Sequence, residues 1–206
     1  MSNFAAMYRD GDTPWESGRP QPAIVALAEE FPERFGGRLL DVGCGLGTLS
    51  IYLAGLPSQR DDGTVVAIDP VAHAVEMART RAAEANKRIE FHIAGVESIN
   101  QIGLPFDHVV DCLLYHVLGD EIRERYVKDL GQAVRASGYL TILVFSDAEP
   151  AGPGPRRITR NELETAMAQH FQLEFIRPVR AELDDRRGEF TPGGPHAWLA
   201  HYVRHA

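Results

Sequence analysis

The clearest chemistry lies in Leu39-Leu40-Asp41-Val42-Gly43-Cys44-Gly45-Leu46-Gly47-Thr48-Leu49. An apolar run ends in a carboxylate, glycines follow at three alternate positions, and a helical pattern opens at Leu49. Glycine lacks a Cβ, so such a turn can adopt unusual dihedrals and let a ligand press on bare backbone. The helix behind it turns its free N–H groups toward that ligand. Asp41 can accept hydrogen bonds from a cationic or hydroxylated group. Cys44, Thr48 and Leu49 share the turn and join the candidate ligand contacts.

A second carboxylate, Asp69, closes the β-branched run Thr64-Val65-Val66-Ala67-Ile68-Asp69 and is followed by Pro70. It stands about twenty residues beyond the glycines, the spacing at which an acidic side chain takes a ribose diol. Asp69 would also suit the start of the helix that follows, and the two roles are compatible. The glycine spacing is G-x-G-x-G, not the G-x-G-x-x-G of dinucleotide-binding turns. With the strand before it, the acid and the helix after it, the stretch resembles motif I of the class I S-adenosylmethionine-dependent methyltransferases. The resemblance implies that the turn wraps the amino-acid end of S-adenosyl-L-methionine and that Asp69 holds the adenosine ribose. In Phe91-His92-Ile93-Ala94-Gly95-Val96-Glu97 the chain departs from the family, because Gly95 stands where an acid contacts the adenine amino group. Adenine recognition then falls to backbone around Gly95 and Val96, or to Glu97.

The elements that must carry these residues alternate. A helix is expected over Pro20 to Phe35, then strands at Arg38–Val42, Val65–Asp69, Ile89–Ile93, His108–Leu114 and Tyr139–Phe145. Helices are expected from Leu46 to Leu53, from Pro70 to Ala85 and from Asp120 to Ala136, with glycine or proline at most junctions. Alternation of this kind implies a parallel sheet covered on both faces. The tail differs. Thr159 and Glu162 read as N-cap and N3 of a helix reaching Gln169, and Phe171–Val179 and Ala197–Val203 follow as two strands with no helix between them. One strand near the edge should therefore be antiparallel. An α/β sheet of seven mostly parallel strands with one such reversal, Rossmann-like and flanked by helices, is the architecture the resemblance implies. A dehydrogenase domain would instead continue βαβ, which argues against a nicotinamide-dependent oxidoreductase as the alternative enzyme. A non-catalytic cofactor-binding module is the other alternative, and Gly95 is the feature that favours it.

Composition bounds the setting. The chain has 206 residues with 44% hydrophobic and 24% charged side chains, as expected for one globular domain. We expect a cap over residues 1–22 and a core over 23–206. No run is apolar enough for a membrane span and the N-terminus lacks a secretory pattern, so a cytoplasmic location is expected. The net charge is −8 and the basic residues are scattered, which disfavours a nucleic-acid partner. Cys44 and Cys112 read as packed thiols, and no Cys/His spacing suggests a metal. Monomer and homodimer both remain open.

The segment Tyr8 to Pro22 carries two aromatics, Tyr8 and Trp15, ahead of Gly18-Arg19-Pro20. It is similar to the bacterial small-molecule methyltransferases of the thiopurine and tellurite-resistance-like group and to their heterocyclic-toxin members. That likeness implies a lid in which Trp15 closes over cofactor and substrate, excluding water from methyl transfer. Ligands of open parallel sheets sit beyond the carboxyl ends of strands, so Asp111 to His116 should border the reacting centre, with Asp111 on the cofactor side. The Asn/Asp-Pro-Pro-Tyr turn of nucleic-acid amino-methyltransferases is absent. Tyr115-His116 instead resembles the aromatic-His pair of the small-molecule group. His116 suits a general base by its reference pKa, and it suits equally a packed ring that moves no proton. Tyr8, Trp15, Tyr115, His116, Phe145, Ser146 and Trp198 are the candidate substrate contacts. His196 and the Pro/Gly-rich loop Ala148–Pro155 complete the candidate rim. His170, His201 and His205 read as peripheral.

Overall fold

The computed structural model describes residues 4–59, 63–103, 105–152 and 154–206. The sheet is built from β1 (Arg38–Val42), β2 (Thr64–Asp69), β3 (Ile89–Ile93), β4 (Phe106–Cys112), β5 (Val134–Phe145), β6 (Phe171–Arg180) and β7 (His196–Arg204). Its order is β3-β2-β1-β4-β5-β7-β6. The first five strands pair in parallel, and β7 runs antiparallel to both β5 and β6. The strands are rich in Val, Ile and Leu because helices cover both faces. The chain leaves β1 toward β2 and β3, then returns to lay β4 on the other side of β1. That reversal opens a crevice at the carboxyl ends of β1 and β4.

On one face, α5 (Asp120–Ala133) and α6 (Arg160–Met167) lay Tyr126, Leu130, Leu163 and Met167 on Leu40, Val109, Ile142 and Tyr202. On the other, α2 (Pro22–Glu30) and α3 (Thr48–Leu53) pack Ile24, Leu27, Leu49 and Leu53 on Leu39, Val65, Val110 and Leu143. A third cluster seats α4 (Ala72–Glu84) on Ala67 and Phe91 through Val75 and Ala78. A short α1 (Phe4–Asp10) rests on α4. Among the described residues no helix is long and apolar enough to cross a membrane.

Several boundaries differ from the sequence reading. The helix expected to Phe35 stops at Glu30, and Pro32 restarts the chain as a 3-10 turn over Pro32–Phe35, because proline cannot donate to the helix ladder. α3 begins at Thr48, not Leu46, since Gly47 is its left-handed N-cap with φ 76°. β4 ends at Cys112, because Leu113 takes φ 66° and turns the backbone off the sheet. β5 starts five residues early, at Val134, and its pairing with β4 shifts register between Phe106 and His108. Thr159 does cap α6, accepting from Glu162 N–H at 3.1 Å.

His201 is the sharpest correction. It is fully buried, not peripheral, because its position in β7 faces the layer carrying Phe31 and Arg34, with Phe31, Phe175 and Tyr139 rings stacked near it. His201 Nδ1 lies 2.8 Å from Thr141 Oγ1, and that hydroxyl lies 2.7 Å from His108 Nε2. His108 Nδ1 is 3.0 Å from the Arg34 carbonyl, which can only accept, so His108 carries its neutral proton on Nδ1. Thr141 then donates to His108 and accepts from His201. Burial lowers the His108 pKa to about 4 and that of His201 to about 2.

Candidate active site

The turn after β1 is held from β2. Gly43 and Cys44 N–H both donate to the Ile68 carbonyl, at 2.8 and 2.9 Å. Gly45 N–H donates to Asp69 Oδ2 at 3.1 Å, and Asp69 Oδ1 accepts from Val71 N–H at 2.8 Å. Gly43, Gly45 and Gly47 have φ of 73°, 52° and 76°, a left-handed run that L side chains resist. The bare turn, more than the six-residue α3 behind it, is what a ligand would meet. Asp69 is 6% exposed and its pKa is raised, first by burial and against its two amide bonds. A carboxylate has about four lone-pair sites, so Asp69 keeps capacity for hydroxyl donors after serving the turn. Pro70 beside it is exposed.

The other two acids face inward. Asp41 is fully buried and accepts from Ser50 Oγ at 2.5 Å. Burial pushes its pKa up to about 7, with Asp69 and Asp111 adding to the rise and Ser50 opposing it. Asp111 accepts from Leu114 and Tyr115 N–H through Oδ1, and from Tyr126 Oη at 2.8 Å through Oδ2. It caps the turn after β4, and burial lifts it to about 6. Both carboxylates therefore shape the crevice walls. The Leu114 side chain reaches across to Gly43, where an added Cβ would lie 3.1 Å from it.

The N-terminal segment lies over the turn. Trp15 Nε1 donates to Tyr8 Oη at 3.1 Å, and a Cβ on Gly45 would sit 2.6 Å from that oxygen. Tyr8 is buried and packs edge-on against Trp15, as does Phe4. Burial, with the nearby Asp69 charge, holds the Tyr8 hydroxyl well above its ordinary pKa, so it is a neutral donor. Glu16 Oε1 accepts from Thr48 Oγ1 at 2.6 Å and from Gly18 N–H at 3.0 Å. On the far side of the turn, a Cβ at Gly95 would fall against the Glu97 carboxylate. Glu97 thus folds back into the space that a side chain at position 95 would fill, while Val96 is buried in the core.

Beyond β4 and β5 the packing is aromatic. His116 is 3% exposed; its ring meets Phe145 at 4.8 Å, and Phe145 meets Phe190 at 5.3 Å. The Arg157 guanidinium lies over Phe145 and Phe190. Phe145 N–H donates to His116 Nδ1 at 2.9 Å, which puts the neutral proton on Nε2. Burial lowers the His116 pKa to about 3. Tyr115 is buried, its hydroxyl pushed up to about 12 by burial. Ser146 is buried at the end of β5 and donates its N–H to the His196 carbonyl. Trp198 lies apart from this group. It packs on the α5/α6 face and donates from Nε1 to the Ile158 carbonyl at 3.1 Å.

Sequence reasoning had not marked Glu16, Ser50 or Phe190. Glu16 lay within the quoted N-terminal segment, and Phe190 is a lone aromatic in a polar loop. Among the described residues no cluster of acids, histidines and cysteines is arranged to hold a metal ion. Both cysteines are free thiols, Cys44 in the turn and Cys112 half-buried.

The left-handed glycine turn, an acid closing β2 and the reversal of strand order are a fit for a nucleoside carrying an amino-acid tail. Residues 39–138 match a methyltransferase domain family. The 2-heptyl-1-hydroxyquinolin-4(1H)-one methyltransferase of Mycobacteroides abscessus is 29% identical over 170 residues, spanning 81% of this chain and 72% of that protein. A structure solved for the conversion of a disulfide bond into a thioacetal group during echinomycin biosynthesis superposes with TM-score 0.79 at 29% identity, over 98% of this chain and 91% of that one. The Burkholderia thailandensis 1,6-didemethyltoxoflavin-N1-methyltransferase, with bound S-adenosylhomocysteine, shares the fold at TM-score 0.74 and 22% identity, over 100% and 87%. Together these likenesses support a class I S-adenosylmethionine-dependent methyltransferase, with S-adenosyl-L-methionine as cofactor.

Proposed function

We propose that the chain methylates an oxygen, nitrogen or sulfur atom of a small aromatic or heterocyclic acceptor. The observation that carries this reading is the aromatic wall at the carboxyl ends of β4 and β5, where half-buried Phe190 packs on buried Phe145 with His116 behind it. A flat apolar ring stacks on such a wall, whereas a charged polymer finds no basic track in a chain of net charge −8. Relatives named for a hydroxyquinolone and for a toxoflavin precursor support the same acceptor class, and with it a role in detoxification or secondary metabolism.

In this reading Gly43 to Thr48 hold the amino-acid end of the cofactor, Asp69 its ribose and Glu97 its adenine amino group. When bound, the cofactor supplies an electrophilic methyl group on a sulfonium. The acceptor atom displaces S-adenosylhomocysteine in line, and the chain's part is alignment and exclusion of water. His116 serves as a wall of the pocket and not as the base. Its Nδ1 lone pair is occupied by Phe145 N–H, its Nε2 already bears the proton, and burial opposes its charging. Phenol-like acceptors that ionise near neutrality need no base beyond this.

The test is a panel of hydroxylated, thiol and N-heterocyclic acceptors with isotopically labelled cofactor, the product mass and fragmentation giving the methylated atom. Labelling of aromatic or heterocyclic members is expected. Turnover confined to proteins, nucleic acids or aliphatic acids would remove this reading.

A further inference from the structure

Three consecutive residues of the N-terminal segment face three different parts of the site. The Pro14 carbonyl accepts from Asp184 N–H at 2.8 Å, in the connection between β6 and β7 that also carries Phe190. Trp15 roofs Tyr8 above Gly45. Glu16 holds Thr48, the first residue of α3, and lies 3.8 Å from Arg81, whose Nη1 also donates to the Leu46 carbonyl. Because the three contacts sit on consecutive residues of one turn, in which Glu16 N–H donates to the Thr13 carbonyl, displacing one strains its neighbours.

The connection has one fixed end. Gln21 is 5% exposed at the N-cap of α2, and its amide pairs with Glu182 as a neighbouring strand would. Its Oε1 accepts from Glu182 N–H at 2.8 Å and its Nε2 donates to the Glu182 carbonyl at 2.7 Å. Because α2 is anchored in the core by Ile24 and Leu27, this pair is a pivot. Beyond it, residues 184–190 meet the N-terminal segment at Pro14, and Asp12 and Arg187 add an exposed ion pair. A cavity of about 240 Å³ lies between the two pieces, bounded by Gly11 to Pro14 on one side and by Asp184, Arg187 and Phe190 on the other.

We propose that residues 14–16 are a bridge that makes closure of the acceptor-side loop 184–190 depend on occupancy of the glycine turn, with Glu16 as the positioning residue. A ligand that fixes the turn fixes Thr48, Thr48 fixes Glu16, and Pro14 is then held where Asp184 can donate to it. The cofactor binds first and completes the acceptor pocket. This inference rests on the reading of the Phe190 loop as the acceptor wall, but its test needs no acceptor.

The test is amide hydrogen exchange of the full chain with and without saturating S-adenosylhomocysteine, with calorimetry run alongside. In the wild type, exchange should slow in residues 4–18 and, by about tenfold, in residues 184–190. In Glu16→Ala the ligand should still protect the turn at saturation, while protection of 184–190 falls below about twofold. Glu16→Gln, which keeps an acceptor for Thr48, should restore it. Asp184→Pro removes the donor from the opposite side and should uncouple the loop without touching the turn. Unchanged exchange of 184–190 in the liganded wild type, or full protection persisting in Glu16→Ala and Asp184→Pro, would overturn the bridge while leaving the proposed function intact. Calorimetry showing no S-adenosylhomocysteine binding would overturn the site assignment itself.

Discussion

The Tyr8 hydroxyl lies 2.6 Å from the point where a Cβ on Gly45 would stand. The middle glycine of the turn is therefore required by the chain's own cap as well as by any ligand. Gly45→Ala must strain the backbone at φ 52° and push Tyr8 aside. S-adenosylhomocysteine affinity should fall by about 1–3 kcal/mol, the overpacking scale, with the fold retained. In a calorimetric double-mutant cycle, Tyr8→Ala should relieve part of that loss, because residues in contact are non-additive. Strict additivity would mean that Tyr8 and Gly45 do not share the space.

Asp41 gives stability an unusual pH dependence. Its folded pKa is raised to about 7 from 3.8, with burial the main cause. The folded state therefore binds the proton more tightly than the unfolded chain, and this residue's contribution is lost as pH rises from about 4 through 7. The stability advantage of Asp41→Asn over the wild type should grow between pH 5 and pH 8, by on the order of 2–3 kcal/mol at about 1.36 kcal/mol per pKa unit. Melting and urea curves of the apo proteins at both pH values check this. A constant offset between the two would contradict it.

Thr141 relays a hydrogen bond between two buried histidines. Thr141→Val would strand His108 Nε2 and His201 Nδ1–H without partners and should cost about 2–6 kcal/mol, at about 1–3 kcal/mol per orphaned group. Thr141→Ser should recover most of it. The two histidines have lowered pKa values, so their contribution is full above about 6.5 and is lost as pH falls toward 4. Urea denaturation of both variants at neutral pH, with acid titration of the wild type, measures the effect.

His116 should leave no limb on the rate profile. With its pKa lowered to about 3, single-turnover methyl transfer to any acceptor found active should show no histidine inflection between pH 5.5 and 7.5 beyond the acceptor's own ionisation. His116→Asn should lower the rate by less than the factor of about 10²–10⁴ usual for loss of a general base. A wild-type inflection near 6.5 that vanishes in His116→Asn would restore the base.

Much of this was legible in the sequence, for local reasons. Arg38–Val42 and Ile89–Ile93 are bounded by glycines, charged residues and loops that interrupt the apolar pattern within the chain itself, and the antiparallel strand near the sheet edge followed from the helix missing between Phe171 and Ala197. What escaped depended on distant partners. Nothing near Gln21 announces Glu182, and His201 sits in an alternation that reads the same whether its side chain meets solvent or Phe31. Trp198 and Phe145 occupy neighbouring strands, yet the register that pairs β5 with β7 sends them to opposite faces. The turn after β4 depended on a positive φ at Leu113, a conformation that leucine does not advertise.

β7 sits between β5 and β6 although it is the last of the three in the chain. As the polypeptide emerges during synthesis, β5 presents an open ladder of amides and carbonyls, and β6 has no sheet to join. Neither is satisfied until residues 196–204 appear and slot between them. The first five strands can assemble in order while the rest is still being made, but the proposed acceptor side waits, because the connection carrying Phe190 is held in place only once β7 has closed the hairpin. The crevice beside it is thus finished by the same late event that seals the sheet. A nascent or truncated chain lacking β7 would expose the apolar edge of β5, and with it the surface on which such chains aggregate.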